Sequence, residues 1–292
     1  MCTSLHKIVI LGSDGFVGGA VFNSFKEKYG QCVVGITPGN IDLTRKDSSE
    51  KLKKHFNKDT VVVFISGITA EKDDSIQAFG QNIEMVVNVA QALEDNPAAK
   101  CIYLSTVSVY GSGAKTGPIT EEHPIRLDSL YALAKYTGEK VLIRVSEAKA
   151  IPLVILRLPR IYGPEDVNSK YGPSAFIRQL GKRQDLVTFG NGEELREFLY
   201  LGDLLRVLEG FVFSDSTGEV NVVSGSSRSY IEVVDILKKT IPFEFKVVEA
   251  ARNGELFHEE YDNTKLSRML PGFKFTRLED GIKETCASFK II

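Results

Sequence analysis

The stretches LSTVSVYG (104–111) and YALAK (131–135) hold the side chains best suited to moving a proton at a carbon-bound oxygen. Tyr131 and Lys135 are four residues apart, which on a helix puts them on one face, a turn from each other. A phenol with a pKa of about 10 is a poor base at neutral pH. A neighbouring ammonium favours the phenolate and lowers that value, which makes Tyr131 a candidate acid and base for interconverting an alcohol and a ketone. A hydroxyl from the Ser/Thr-rich end of LSTVSVYG can hydrogen-bond the same substrate oxygen and support charge as it develops.

A second cluster suits phosphate. IVILGSDGFVGGAVFNSF (8–25) breaks from an apolar run into Gly12-x-x-Gly15-x-x-Gly18 and then into a helical pattern. A tight turn needs positive φ, a pyrophosphate needs backbone without a Cβ in the way, and a helix packed on a strand needs a small residue. The amides at the helix start, around Phe16 and Val17, are then donors for phosphate oxygens. The common dinucleotide fingerprint has one residue between its first two glycines, whereas Ser13 and Asp14 stand there in this chain. An acidic residue at the end of the second strand would hold the ribose hydroxyls of NAD. That strand ends GITPG (35–39), with Thr37 and Pro38, no carboxylate, and no arginine for a 2′-phosphate. NAD and NADP both stay open.

The elements that must carry these residues alternate. KIVIL (7–11), CVVGI (32–36), TVVVFIS (60–66), KCIYLS (100–105) and PLVILRL (152–158) are continuous, β-branched runs, as expected of strands buried on both faces. Helical patterns at 16–28, 48–57, 75–95 and 128–149 separate them. Repeated βα units predict an α/β fold, a doubly wound parallel sheet of the Rossmann type. The rhythm changes after about residue 163, where Pro164, Gly172 and Pro173 punctuate a loop. We therefore expect a dinucleotide-binding domain over 1–165, with return segments near 198–223, and a smaller substrate-binding lobe over 166–292.

Bulk properties exclude other classes. The chain has 292 residues, 36 Lys and Arg against 38 Asp and Glu, and a net charge of −2, so no basic excess suggests nucleic acid or a membrane surface. Cys2, Cys32, Cys101 and Cys286 are scattered, which speaks against a zinc site or a disulfide framework and fits a reducing cytosol. The first apolar stretch is short and broken by Gly12, Ser13 and Asp14, unlike a signal peptide or a membrane span. The expectation is a cytoplasmic protein with no metal.

GSDGFVGG, LSTVSVYG, YALAK and LRLPRIYGP (156–164) together resemble the short-chain dehydrogenase/reductase superfamily, in its extended branch of nucleotide-sugar epimerases, dehydratases and reductases. FGNGEELREFLYLGDLLRVL (189–208) and YDNTKLSRMLPGFKFTRLEDGIKET (261–285) are similar to later blocks of the same branch, so the resemblance runs from about residue 7 to residue 285. It implies a Thr106–Tyr131–Lys135 triad, with Ser105 and Ser108 in support, and Tyr110 packing or lining the substrate. It implies cofactor contacts at Gly12, Gly15, Phe16, Val17, Asp42, Leu43, Ser66, Gly67 and Leu158, with Pro159 beside Leu158. Asn82 matches an asparagine that supports the fourth strand and the active site. Arg196 falls where the branch places an arginine on a nucleotide-sugar diphosphate, and Asp203 where an acid orients loops or caps a helix at 203–213. Arg160 replaces a usual asparagine and adds a second positive group for substrate.

Sugar-nucleotide dehydratases carry an Asp–Glu pair after the threonine, and Val107 and Ser108 stand there instead, which demotes elimination of water. The implied activity is hydride transfer at a sugar carbon with NAD or NADP, as a 4-keto reductase or a 4-epimerase. A reductase of small non-nucleotide ketones and a non-catalytic dinucleotide sensor are the alternatives. The resemblance also implies a homodimer, formed through the helices at 75–95 and 128–149.

Overall fold

The computed structural model describes residues 7–113, 117–167, 169–170, 172–252 and 254–292; Cys2 lies outside them. The chain divides into two compact units, one of residues up to Gly111, Ile125–Arg157 and Leu208–Val220, the other of Ser112–Pro124, Leu158–Val207 and Asn221–Ile292. The second unit thus takes in 112–124 and begins at Leu158, because compactness follows contacts rather than chain order.

The first unit is built on the strands β1 (Lys7–Leu11), β2 (Val33–Ile36), β3 (Thr60–Phe64), β4 (Lys100–Thr106) and β5 (Leu153–Leu158), with helices α1 (Phe16–Tyr29), α2 (Ser48–Lys53), α3 (Ile76–Asp95) and α4 (Leu130–Lys149) between them. In the second unit β6 (Arg160–Tyr162), α5 (Gly172–Gly181), β7 (Leu186–Phe189), β8 (Leu195–Arg196) and β9 (Phe198–Tyr200) follow. Helix α6 (Leu201–Val212) then leads to β10 (Gly218–Asn221), which completes a six-stranded sheet of order β10-β5-β4-β3-β1-β2. Pairings β1–β2, β1–β3 and β3–β4 are parallel. From β1 the chain goes to β2 on one side and then to β3 on the other, so strand order reverses between β1 and β3. Ligands of such sheets bind outside the carboxyl ends of the strands at that switch point.

β1, β3, β4 and β5 are buried almost throughout, with Val9, Val62, Val63 and Val154 at 0% exposure, as their unbroken apolar runs require. Helix α2 stops at Lys53, a turn before the pattern suggested. Asn57 Oδ1 accepts from Asp59 N and Thr60 Oγ1, both at 2.9 Å, a local turn that competes with further helix. Helix α4 starts at Ser129, whose side chain accepts from Ala132 N at 3.1 Å, and ends where Ala150 turns left-handed at φ 52°. Cys101 and Cys286 are free and buried.

The second unit continues with β11 (Arg228–Ser229), α7 (Tyr230–Thr240), β12 (Val247–Ala250), α8 (Thr264–Met269) and α9 (Leu278–Ser288). Three two-stranded pairs, β6–β9, β7–β12 and β8–β11, frame a core of Phe176, Ile177, Val233, Leu237 and Ile282. Asp203 sits inside the first turn of α6 rather than capping it. Its carboxylate accepts from Thr276 N at 2.9 Å and Thr276 Oγ1 at 2.7 Å, tying down the segment before α9. No helix among the described residues is long and apolar enough to cross a membrane.

Candidate active site

The glycine turn lies at the switch point. Gly12 has φ +91°, and its N–H and that of Ser13 donate to Ile36 O at 2.8 and 3.1 Å, pinning the turn to the end of β2. A Cβ on Gly12 would meet Ser66 Oγ at 2.7 Å, so the loops after β1 and β3 are in direct contact. A Cβ on Gly18 would stand 1.8 Å from Gly12 O, which is the close helix-to-strand packing that excludes any side chain there. Gly15 differs. It caps α1 with an ordinary φ of −78°, and a Cβ on it would meet nothing nearer than Gly12 O at 3.8 Å. Nothing inside the protein requires glycine at 15. The helix start also has no side-chain cap and no acid in its first turn, leaving the amides of Phe16 and Val17 for an outside acceptor. A cradle with room for a Cβ that the sequence leaves empty fits a pyrophosphate.

Contacts run from this turn to the lysine. Gly67 follows Ser66, and a Cβ on Gly67 would lie 3.7 Å from Asn82 Oδ1 and 3.8 Å from Lys135 Nζ. Asn82 Oδ1 accepts from Ile68 N at 2.8 Å and its Nδ2 donates to Ile68 O at 2.9 Å. Asn82 therefore staples the loop after β3 instead of reaching β4, with both ends of its amide engaged. Asp42 is similarly occupied by Thr44, through Oγ1 at 2.8 Å and N at 3.0 Å, and these bonds hold its carboxyl below the usual range. Leu43 is buried in the core.

Thr106 ends β4, where its Oγ1 accepts from Ser108 N at 3.1 Å and lies 3.0 Å from Ser108 Oγ. Tyr131 and Lys135 open α4, and Asp74 Oδ1 accepts from Tyr131 N at 2.7 Å, adding a loop acid to the helix start. Lys135 is 4% exposed, and its Nζ stands 4.3 Å from the centre of the Tyr103 ring. Burial pushes its pKa down to about 7, against the pull of Glu139. Tyr131 is not lowered, as its neighbour predicted, but pushed up to about 12 by burial and then by Glu71. Removing water from both groups outweighs the attraction between an ammonium and a phenolate.

Ser105 is engaged in the interior. Its Oγ donates to Glu139 Oε1 at 2.5 Å. Arg157 donates to the same carboxylate through Nε at 3.1 Å and Nη2 at 2.8 Å, and through Nη1 to Tyr110 Oη at 2.8 Å. Sequence reasoning passed over Glu139 and Arg157. Their signal was the arginine inside the apolar run PLVILRL.

The second unit holds Leu158, buried at the end of β5, and a cluster of alternating charge. Arg160 Nη1 donates to Glu259 Oε2 at 2.7 Å, and Glu259 Oε1 is 3.9 Å from Arg196 Nε. Arg196 is 4% exposed; its Nη1 donates to Leu195 O and Phe257 O, each at 2.8 Å, and its Nη2 to Glu194 Oε2 at 3.2 Å. Arg252, which the sequence reading missed, shares Glu194 at 3.5 Å and donates to Glu193 at 3.0 Å. The Nε atoms of Arg196 and Arg252 are buried donors with no hydrogen-bond partner among the described residues.

Residues 8–222 match the NAD dependent epimerase/dehydratase family. A Methanocaldococcus jannaschii protein described as a UDP-glucose 4-epimerase is 27% identical over 299 residues, covering 94% of this chain and 96% of its own. In fold, the chain is similar to a Methanobrevibacter ruminantium UDP-N-acetylglucosamine 4-epimerase solved with UDP-N-acetylmuramic acid, at a TM-score of 0.85 and 22% identity over 98% of both chains. RMD from Pseudomonas aeruginosa, solved with NADPH, has the same TM-score of 0.85 at 19% identity, covering 97% of this chain and 99% of its own. The match spans the glycine turn, Thr106, Tyr131, Lys135 and Arg196, and this chain belongs to the NAD-dependent epimerase/dehydratase family.

Proposed function

We propose that the protein uses NAD or NADP to transfer hydride at a carbon of a nucleotide-linked sugar, as a 4-keto reductase or a 4-epimerase. One observation carries this: the glycine cradle is linked to Lys135 through Ser66, Gly67 and Asn82, in the unit that also holds Thr106 and Tyr131. Gly12, Gly15 and the amides of Phe16 and Val17 hold the pyrophosphate, with Ser66 and Gly67 alongside. The dinucleotide, when bound, supplies the hydride donor or acceptor. Tyr131 exchanges a proton with the sugar hydroxyl, Thr106 Oγ1 hydrogen-bonds the reacting oxygen, and Lys135 as ammonium stabilises Tyr131 when it is ionised. Arg196 and Arg252, whose Nε atoms lie 3.9 Å from Glu259 and 3.5 Å from Glu194 without forming hydrogen bonds, support a phosphate-bearing substrate, since a planar guanidinium matches phosphate oxygens. Arg160 adds a further positive charge to the same cluster.

The test is mass spectrometry of small molecules released by denaturing the purified protein, followed by assays on nucleotide-sugars. Retained NAD supports the epimerase, and NADPH-dependent reduction of a keto-sugar by an empty protein supports the reductase. Reduction of simple ketones with no response to nucleotide-sugars refutes the substrate class, and dinucleotide binding without turnover of any sugar refutes catalysis. We further propose a cytoplasmic homodimer, supported by Ile76, Val87 and Leu133, large apolar residues left exposed on α3 and α4. A monomer mass in light scattering would refute the dimer.

A further inference from the structure

We propose that Glu139 is a positioning residue for the proton transfer, a buried anion that favours the ammonium form of Lys135. The proposal rests on the role of Lys135 given above. Glu139 is fully buried and follows Lys135 by one helical turn on the same face of α4. A carboxylate in such a place must be paired and hydrogen-bonded to stay ionised. Here both oxygens are satisfied, Oε1 by Ser105 Oγ and Arg157 Nε, Oε2 by Arg157 Nη2. The two-pronged contact pairs the carboxylate with the Arg157 guanidinium. Ser105 precedes Thr106, so the same carboxylate also ties the strand carrying the hydroxyl to the helix carrying Tyr131 and Lys135.

The surroundings of Lys135 offer it little else. From β4 the facing group is the Tyr103 ring, whose phenol burial pushes far up, so it stays neutral. From α3 comes the neutral amide of Asn82, and from the loop after β3 comes Gly67. Glu71 in that loop acts on Tyr131, and Asp74 is bonded to the Tyr131 backbone. Tyr131, a turn earlier on α4, is itself held protonated. From β5 comes Arg157, whose guanidinium is bonded to Glu139 and to Tyr110. Glu139 is the anion acting on Lys135, and it opposes the loss of the lysine proton that burial favours. A salt bridge serving only to hold α4 on the sheet would not govern that ionisation, which separates the two roles.

The experiment titrates Lys135 in the full chain by 13Cε NMR of labelled lysine, assigned by comparison with Lys135→Arg, for wild type, Glu139→Asp and Glu139→Gln. Where the single variant fails to fold, Glu139→Gln/Arg157→Met is titrated beside Arg157→Met, so that the carboxylate alone differs between the two. NADH and NADPH affinities are measured by fluorescence across the same pH range. The expected result is a wild-type midpoint of about 7, a fall of roughly a pH unit or more on loss of the carboxylate, and recovery in Glu139→Asp. A midpoint unchanged in a folded variant lacking the carboxylate overturns the proposal. If wild type binds neither dinucleotide while the midpoint shifts, Glu139 controls the lysine and the enzymatic reading is what fails.

Discussion

Gly15 separates what the fold needs from what a ligand needs. Alanine is sterically acceptable there, with φ −78° and nearest approach 3.8 Å to Gly12 O. Losing glycine restricts the unfolded chain and stabilises by about 0.4–1 kcal/mol. Alanine is a poorer helix cap than glycine by a similar amount, roughly 0.5–1 kcal/mol, so the net stability change is near zero. Melting temperature should move by no more than about 3 °C. The added methyl group stands at the cap of α1, directly before the amides of Phe16 and Val17 to which the phosphate is assigned. Preventing one charge-assisted hydrogen bond to a phosphate there costs about 1.5–3 kcal/mol. That is roughly a 10- to 100-fold rise in Kd for NADH or NADPH. Fluorescence titration of Gly15→Ala beside a melting curve reads both quantities. Gly18→Ala is the contrast: its Cβ at 1.8 Å from Gly12 O must push helix and turn apart, costing stability as well as affinity. A folded Gly15→Ala protein that binds dinucleotide as wild type does would refute the assignment of this turn to pyrophosphate.

Tyr131→Phe should abolish turnover while leaving dinucleotide Kd nearly unchanged, and full retained activity in a steady-state assay would remove the tyrosine from the mechanism. Lys135→Met should stabilise the fold below about pH 7 by on the order of a few kcal/mol, read as a higher melting temperature. The sign follows from a folded-state pKa depressed to about 7 against an ordinary 10.5: below 7 the folded state carries the whole cost of the buried charge, and above 10.5 none. The gain must therefore fade as pH rises through that window in melting curves. Gly138→Ala places a Cβ 2.4 Å from Tyr103 Oη, between α4 and β4, and should destabilise by about 1–3 kcal/mol in denaturant unfolding.

The parallel strands were legible because their apolar runs have no polar face, a pattern set by burial on both sides of β1, β3, β4 and β5. The glycine turn was legible because a close approach leaves a mark in residue type: Gly12 and Gly18 meet backbone atoms that any side chain would strike. Charge partners left no such mark. Glu139 and Arg157 lie 18 positions apart, and Arg196 and Glu259 are further separated still. Spacing along the chain carries no information on which of 38 acids meets which of 36 bases. The ionisation of Tyr131 failed to follow the sequence for a related reason. Periodicity places Lys135 beside it, but only the three-dimensional packing says how much water both have lost.

That loss of water makes the pair directional. Burial drives Tyr131 toward its neutral phenol and Lys135 toward its neutral amine, so the free protein near pH 7 holds a protonated tyrosine beside a half-charged lysine. A protonated phenol is ready to donate to an oxygen gaining negative charge, which is the demand of reducing a ketone. Oxidising an alcohol requires the phenolate, and that form needs the lysine fully charged. The two directions of hydride transfer therefore depend differently on Glu139: its removal should slow alcohol oxidation more than ketone reduction at the same pH. Forward and reverse kcat at saturating substrate, measured on Glu139→Gln and wild type, read the difference, because the fixed overall equilibrium ties the two kcat/KM values together. Identical kcat losses would show that the carboxylate acts on geometry alone.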